Sequence, residues 1–417
     1  WELLDAEERE LARRLTVFSG GATLEAVDAV CGMPYPEDVL ASLVEKSLLE
    51  VSEGRYRMLE TIRAFAAEDV PGAEELRDSH AAYFLRLAQE AEPHLRGGGQ
   101  LPWLARLSAE RGNLDAALRH LVRRAPADAL RLMALLSWFW RLRGLHGEQV
   151  PTARELLAAV GDTPPPGLEE EYVLCVVNAL SGDGDRPAGQ QELIARLVAL
   201  LTPYEGPLRL PYIVVLWSLA VGPQQATNEQ ARALAGGSPW TRALLDVGLG
   251  FQAQFRGRPR ESEECFARAL EGFRATGDRW GMANCLEPLG MFAHARGDSR
   301  RALRLLDEGL VHVRERAAPE ETADLLRTRL ADADVLARIG GDEFAILQVR
   351  AGEPAPPPAL LPGPDGASAA LTVGPVQVTT SGSIATAGPG ASGREKRGWS
   401  ARNTAISACL TPASTTQ

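Results

Sequence analysis

The amino-acid sequence predicts a mainly α-helical chain, and three observations support that prediction. The first 70 residues combine amphipathic helical segments with one hairpin pattern. Residues 71–330 have a helical pattern almost throughout, interrupted by short Gly- and Pro-rich breaks. Within that region a stretch of sequence repeats itself after 40 residues. Residues 331–390 favour strands instead, and residues 391–417 predict a disordered tail.

Residues 1–70 predict three helices and a hairpin. The stretch DAEERELARRLTVF predicts a first helix capped by Asp5, and TLEAVDAVCG predicts a second helix that starts at Thr23. PYPEDVLASLVEKSL predicts a third helix with Pro36 in its first turn. SLLEVSEGRYRML predicts two strands around Glu53–Gly54, and LETIRAFAAE returns to helix. This order of elements is that of a winged helix.

The charge of this winged helix argues against DNA binding. Winged helices that bind DNA lay the third helix in the major groove, where basic and amide side chains contact phosphates and base edges. Here the third helix carries Glu37, Asp38 and Glu45 against a single Lys46. Residues 1–70 contain 15 Asp or Glu and 7 Lys or Arg, a net charge of −8. A structural or regulatory winged helix is therefore expected, without direct DNA binding.

Three stretches, RRLTVFSGGATLEAVDAVCG, LVEKSLLEV and RYRMLETIRAFA, resemble the winged helix of STAND-class regulators. That class includes the large antibiotic-regulatory (SARP-like) transcription factors of actinobacteria. In the class this winged helix follows a nucleotide-binding core, folds onto the bound nucleotide and helps to hold the inactive state. The resemblance implies that the upstream nucleotide-binding domain is missing from this chain, which opens on Trp1 and contains no GxxxxGK[ST] loop.

One position departs from the pattern of the eukaryotic relatives. They carry a Met-His-Asp motif whose histidine touches the nucleotide phosphate, and this chain has Met58, Leu59 and Glu60 in that place. Leu59 cannot make the phosphate contact. Met58 and Leu59 are instead expected to be core residues at the end of a strand.

The repeat within residues 71–330 is of the helix-turn-helix kind. LGFQAQFRGRPRESEECFARALEGF aligns with LGMFAHARGDSRRALRLLDEGLVHV. The equivalent pairs are Leu249 and Leu289, Gly250 and Gly290, Gly257 and Gly297, and Leu270 and Leu310. This repetition predicts a tetratricopeptide-like α-solenoid, whose stacked helix pairs leave a concave face for a protein or peptide partner. No set of residues in this region has the spacing of a catalytic site, so it is expected to bind rather than to react.

Near the C-terminus, residues Ile339 to Phe344 read IGGDEF between two apolar runs, which predicts a hairpin. This stretch resembles the signature hairpin of diguanylate cyclases, the GGDEF family. The resemblance covers residues 331–390 and implies a partial α/β segment. It makes Gly340 and Gly341 candidate contacts to a nucleotide phosphate. It makes Asp342 and Glu343 candidate metal ligands and vestigial catalytic residues.

The rest of the cyclase pattern is absent from the sequence. The family carries an Asp-rich motif, roughly DxDxFKxxND, on an earlier strand, and no such motif occurs in this chain. The inhibitory RxxD motif would pair Asp334 with an Arg at position 331, which is Ala331. We therefore expect no enzyme activity and no cofactor in this chain. The alternative function is that of a diguanylate cyclase-like protein, which makes cyclic di-GMP and has a helical-repeat sensory region. Only under this alternative are Mg²⁺ and GTP expected as ligands.

Composition sets the remaining limits. The 417 residues carry a formal charge of −11 and are 45% hydrophobic, enough for more than one folded core. Five cysteines occur without a CxxC pair, which favours a reduced, cytoplasmic protein without a zinc site. No apolar stretch reaches the roughly 20 residues that a membrane helix needs. Within these limits, the resemblance to STAND-class regulators implies a non-enzymatic signalling fragment of a transcription regulator.

Overall fold

The computed structural model describes residues 1–68, 70–145, 147–181, 190–201, 207–216 and 236–317, and the strands 335–340, 343–349, 368–373 and 376–381. The chain divides into two compact units. The first holds residues 1–182, 186–241 and 276–278, and the second holds residues 183–185, 242–275 and 279–417. The domain boundaries expected after residues 70, 330 and 390 stay predictions.

The first unit begins with the winged helix. Its elements are α1 (Ala6–Leu15), β1 (Ala22–Thr23), α2 (Leu24–Cys31), α3 (Pro36–Glu45), β2 (Leu49–Ser52), β3 (Arg55–Met58) and α4 (Glu60–Ala66). The strands form an antiparallel sheet in the order β1-β3-β2, in which Ala22 pairs with Tyr56 and Leu49 with Met58. The predicted winged helix is confirmed.

Local sequence signals explain where these elements begin and end. Asp5 caps α1: its carboxylate accepts the backbone N–H of Glu8 at 2.8 Å, and the Glu8 carboxylate accepts that of Asp5 at 2.8 Å. Gly32 ends α2 in the left-handed conformation, with φ 59°. Glu53 and Gly54, with φ of 53° and 73°, form the tight turn between β2 and β3. Each boundary follows the sequence prediction.

The rest of the first unit, where the structure describes it, is mainly helical. Its helices include α5 (Ala73–Ala91), α6 (Gln100–Ala109), α7 (Arg111–Arg124), α8 (Pro126–Arg143), α9 (Val150–Val160), α10 (Glu169–Leu180) and α11 (Gln190–Leu201). Helix α8 is apolar on nearly all sides, as a helix surrounded by others must be. Its side chains Trp138, Phe139 and Trp140 are at most 2% exposed.

The 40-residue repeat forms two helix pairs. The helices are α12 (Pro239–Phe255), α13 (Pro259–Thr276), α14 (Arg279–Ala295) and α15 (Ser299–Glu315), so each helix of the second pair begins 40 residues after its counterpart in the first. Gly250 lies against the Phe266 ring, and a Cβ atom there would come within 3.0 Å of it. Gly290 lies in the same way against Leu306, at 2.9 Å. Because equivalent residues make equivalent contacts, the helical repeat is confirmed.

Four strands are described beyond residue 317. They are β4 (Val335–Gly340), β5 (Glu343–Val349), β6 (Ser368–Val373) and β7 (Val376–Ser381). They pair antiparallel in the order β4-β5-β7-β6. The tail predicted over residues 391–417 lies outside the described residues. Within the described part of the chain, no helix is long and apolar enough to cross a membrane.

Candidate functional site

The residues of the GGDEF-like stretch fall only partly within the described structure. Strands β4 and β5 form the expected hairpin, in which Gly340 is paired with Glu343. Gly341 and Asp342 lie outside the described residues, so the predicted phosphate and metal contacts stay predictions. Among the residues that the structure does describe, no group of three or more His, Cys, Asp or Glu side chains could hold a metal ion.

A second candidate site is a partly exposed face of the two repeats. Six residues at equivalent or neighbouring positions of α12 and α14 define what we call the repeat face: Phe251, Gln254, Phe255, Asn284, Met291 and His294. Phe251 and Met291 are 40 residues apart, as are Gln254 and His294, so they take equivalent places in the two repeats. The side chain of Phe255 is 56% exposed, which is unusual for so large an apolar group.

The helices that carry the repeat face are held by contacts with neighbouring helices. The Phe251 ring meets the Phe266 ring edge to face at a centroid distance of 5.0 Å. The Ser262 hydroxyl donates to the carbonyl of Gly250 at 2.8 Å. Four ion pairs tie neighbouring helices together at the surface: Arg268 with Asp246, Arg274 with Glu308, Arg279 with Glu315, and Arg296 with Glu263. The repeat face therefore belongs to packed helices rather than to a loop.

A third candidate is a cavity of about 130 Å³ in the winged helix. The residues that line it include Gly20, Gly21, Arg57 and Arg63. The residues that stand in the position of the Met-His-Asp motif lie beside this cavity. Here one expectation is wrong: Leu59, at the N-cap position of α4, is not core but 49% exposed, and Met58 is only partly buried.

The third helix of the winged helix has no free cation to offer to DNA. The Lys46 ammonium pairs with the Glu8 carboxylate and lies 3.4 Å from the carbonyl oxygen of Leu3. The hydrogen bonds from Lys46, from Ser42 and from the Asp5 backbone lower the pKa of Glu8 to about 2. The single cation at the end of α3 is thus engaged within the winged helix itself, which supports the expectation drawn from the net charge.

A buried polar cluster joins the winged helix to α6 and α7. Glu110 lies between these helices and forms a two-point ion pair with Arg55, whose Nη2 is 3.0 Å from Glu110 Oε2. Asn113 accepts the backbone N–H of Ser19 at 2.7 Å. Its Nδ2 donates to Glu110 at 2.7 Å and to the Gly21 carbonyl at 3.0 Å. We call Arg55, Glu110 and Asn113 the Asn113 cluster, and Ser19–Gly21 the glycine loop.

The side chains of the Asn113 cluster are buried and tightly packed. Asn113 is fully buried, and Arg55 and Glu110 are 7% and 4% exposed. A Cβ atom on Gly112 would lie 2.5 Å from a carbonyl oxygen of the glycine loop, so only glycine allows this approach. The Nε2 atom of His80 lies 3.4 Å from Asn113 Oδ1, and burial lowers the pKa of His80 to about 4. The imidazole is therefore neutral near pH 7.

Comparison with known proteins bears on the N-terminal part of the chain. Residues 4–70 match the family model of the winged helix-turn-helix domain. This match agrees with the fold of α1 to α4 and covers the whole of that segment. No curated protein matches the chain.

One solved structure is similar over a longer stretch. It is a Signal Transduction ATPase with Numerous Domains (STAND) protein with a tetratricopeptide repeat sensor, from Pyrococcus horikoshii. The similarity covers 79% of this chain and 54% of that one, with 12% sequence identity and a TM-score of 0.33. The chain thus spans about half the length of that protein. At this identity and score, the similarity supports no inference about ligand or activity.

Proposed function

We propose that this chain is the non-enzymatic signalling part of a transcription regulator, and that its helical repeats bind a protein or peptide partner at the repeat face. The observation that carries the proposal is the repeated, partly exposed face of α12 and α14. It combines the apolar side chains of Phe251, Phe255 and Met291 with amide and imidazole groups. An extended or helical peptide presents the same mixture of apolar side chains and backbone hydrogen-bonding groups. We expect the apolar side chains to supply most of the affinity.

The finer part of the proposal follows from the resemblance to STAND-class regulators. We infer a cytoplasmic protein in which a nucleotide-binding domain precedes the winged helix. Leu59 and Phe65, 49% and 53% exposed, would then lie at the surface that such a domain covers. In this arrangement the winged helix serves regulation and does not bind DNA directly.

The alternative function, a diguanylate cyclase-like enzyme, is supported by the hairpin of β4 and β5. Its candidate residues are Gly340, Gly341, Asp342 and Glu343, with GTP and Mg²⁺ as the ligands. The lack of the Asp-rich motif weighs against it, because a single acidic turn leaves the second set of metal ligands unfilled.

The test of partner binding uses the full chain and a random peptide library. Peptides selected on the immobilised chain are measured by fluorescence anisotropy against three variants. Phe255→Ala and Met291→Ala should weaken binding about tenfold or more, which corresponds to about 1.4 kcal/mol. The matched control is Leu303→Ala, since Leu303 in α15 is 43% exposed but lies outside the repeat face. If all three variants bind equally well, or Leu303→Ala alone weakens binding, the repeat face is not the site.

A further inference from the structure

The glycine loop contacts both the winged-helix cavity and the helix α7 that follows the winged helix. Gly20 and Gly21 line the cavity. From α7, Asn113 accepts the Ser19 N–H and donates to the Gly21 carbonyl, which also accepts from Arg55 of β3. The loop therefore lies between the cavity and the joint of α6 and α7, where Glu110 sits.

The hydrogen bonds to α7 fix the position of the glycine loop, because breaking them costs free energy. Gly20 and Gly21 have φ of 94° and 85°, so the loop has the backbone freedom to adopt other shapes. Yet the Ser19 N–H and the Gly21 carbonyl are paired with the buried side chains of Asn113 and Arg55. A displacement of α7 would break the hydrogen bonds to Asn113 and leave its buried amide without these partners. The loop must either follow α7 or lose these hydrogen bonds together.

We propose that the Asn113 cluster is a mechanical link, through which the joint of α6 and α7 sets the shape of the glycine loop and so of the winged-helix cavity. The link works in both directions, because the coupling of two sites is reciprocal. A shift at the joint remodels the cavity wall, and a disturbance of the loop loosens the joint. The winged helix thereby senses the state of the helices that follow it.

The first test disturbs the joint and observes the loop, using the full chain. In Asn113→Leu the acceptor for the Ser19 N–H is removed, and hydrogen exchange at Ser19 should become at least about tenfold faster. The matched control is Asn178→Leu. Asn178 is also a buried helical asparagine, 3% exposed, but it bonds to Ser137 and Leu174. Asn113→Ala replaces Asn113→Leu if the larger side chain prevents folding.

The second test disturbs the loop and observes the joint. Gly21→Ala would place a Cβ atom 2.6 Å from both the Tyr56 carbonyl oxygen and Arg57 Cγ, whereas Gly20→Ala meets nothing within 4 Å. Both substitutions put alanine at a positive φ, so they share the backbone strain and differ in the collision. Exchange of the Leu114 amide, which donates to the Glu110 carbonyl at 2.9 Å, should be faster in Gly21→Ala than in Gly20→Ala.

Two sets of results decide whether the Asn113 cluster is a mechanical link. Faster exchange at Ser19 in the Asn113 variant alone, together with faster exchange at Leu114 in Gly21→Ala alone, establishes the link. Equal exchange at Ser19 in the Asn113 and Asn178 variants overturns it, since a general loss of stability would then explain both. Equal exchange at Leu114 in the two glycine variants also overturns it, because the collision at Gly21 would not reach the joint.

Discussion

The winged helix and the helical repeats are stabilised by different kinds of polar contact. The winged helix is attached to α7 by a buried ion pair and by hydrogen bonds to a buried asparagine, between residues 55 to 94 positions apart in sequence. The repeats are joined by largely exposed ion pairs between residues 22 to 36 positions apart. Buried contacts are costly to break singly, whereas exposed ones contribute little. The same charged residue types should therefore respond very differently to substitution in the two regions.

The largest expected effect comes from breaking the buried ion pair. Glu110→Ala leaves Arg55 charged and buried without its partner, which should cost about 3–5 kcal/mol of unfolding free energy. Glu263→Ala removes the partner of Arg296, whose side chain is 48% exposed, and should cost at most about 1 kcal/mol. Urea denaturation of both variants measures the difference. Similar losses in the two variants would show that burial does not separate these regions.

A second prediction concerns pH and His80. Its pKa is about 4 in the folded protein and 6.5 ordinarily, so the unfolded chain takes up the proton first as the pH falls. The stability from neutral His80 is fully present above pH 6.5 and is lost between pH 6.5 and 4, on the order of 3 kcal/mol. Asn113 and Glu110 favour the proton, while burial and His120 oppose it.

The control for this effect is His80→Phe, which keeps an aromatic ring beside Phe18 and Phe84. Its unfolding free energy should fall less steeply between pH 6.5 and 4 than that of the parent protein. Parallel pH profiles would mean that His80 does not titrate as described.

These contrasts also explain how much could be predicted from the sequence. The winged helix and the repeats follow from local signals, such as the Asp5 cap, the Gly32 helix end and the 40-residue spacing of Gly250 and Gly290. Such signals act within one helix or between neighbours, so a single sequence displays them.

The Asn113 cluster could not be predicted in that way. Asn113 and Glu110 look like ordinary polar residues at a helix start, and their partners lie far away in the chain. The exposure of Leu59 was missed for a related reason. An apolar residue after a strand is usually core, and only the packing of the neighbouring helix decides otherwise. Gly112 is the one local sign in the sequence that another part of the backbone approaches closely there.

Glycines of the repeats should show an effect of intermediate size. A Cβ atom on Gly281 would lie 2.3 Å from the Phe273 ring, so Gly281→Ala should overpack the α13–α14 contact and cost about 1–3 kcal/mol. Gly248 in α12 has open space around it, and Gly248→Ala should stabilise the helix by about 0.5–1 kcal/mol. Thermal unfolding of the two variants should shift in opposite directions. Two shifts of the same sign would contradict the packing of the repeats described above.

A smaller effect is expected on mixing the full chain with duplex DNA. The winged helix carries a net charge of −8, and its one cation at the end of α3 is paired with Glu8. Binding should therefore be weak even at low salt, because few counterions are released. Fluorescence anisotropy on random-sequence duplex measures it. Sub-micromolar affinity that weakens steeply with added salt would overturn the prediction.

No cyclic dinucleotide is expected to form when the full chain is incubated with GTP and Mg²⁺. The hairpin of β4 and β5 is a local structure, and it forms from adjacent sequence just as the helix caps do. A phosphoryl-transfer site is not local, since it needs metal ligands on separate strands to align the attacking hydroxyl with the phosphate. The Asp-rich motif that supplies the others is absent from the sequence.

Loss of a single stabilising donor typically costs about 10²–10³ in rate, and here a whole strand of ligands is missing. Chromatography of the reaction should therefore reveal no cyclic dinucleotide. A diguanylate cyclase with its full motif, assayed in parallel, shows that the conditions support turnover. Product that forms with this chain and disappears with Glu343→Ala would make the hairpin catalytic and would replace the proposed function with the alternative. Product that persists with both Asp342→Ala and Glu343→Ala would point to a contaminating enzyme, because neither acidic residue of the hairpin would then be needed.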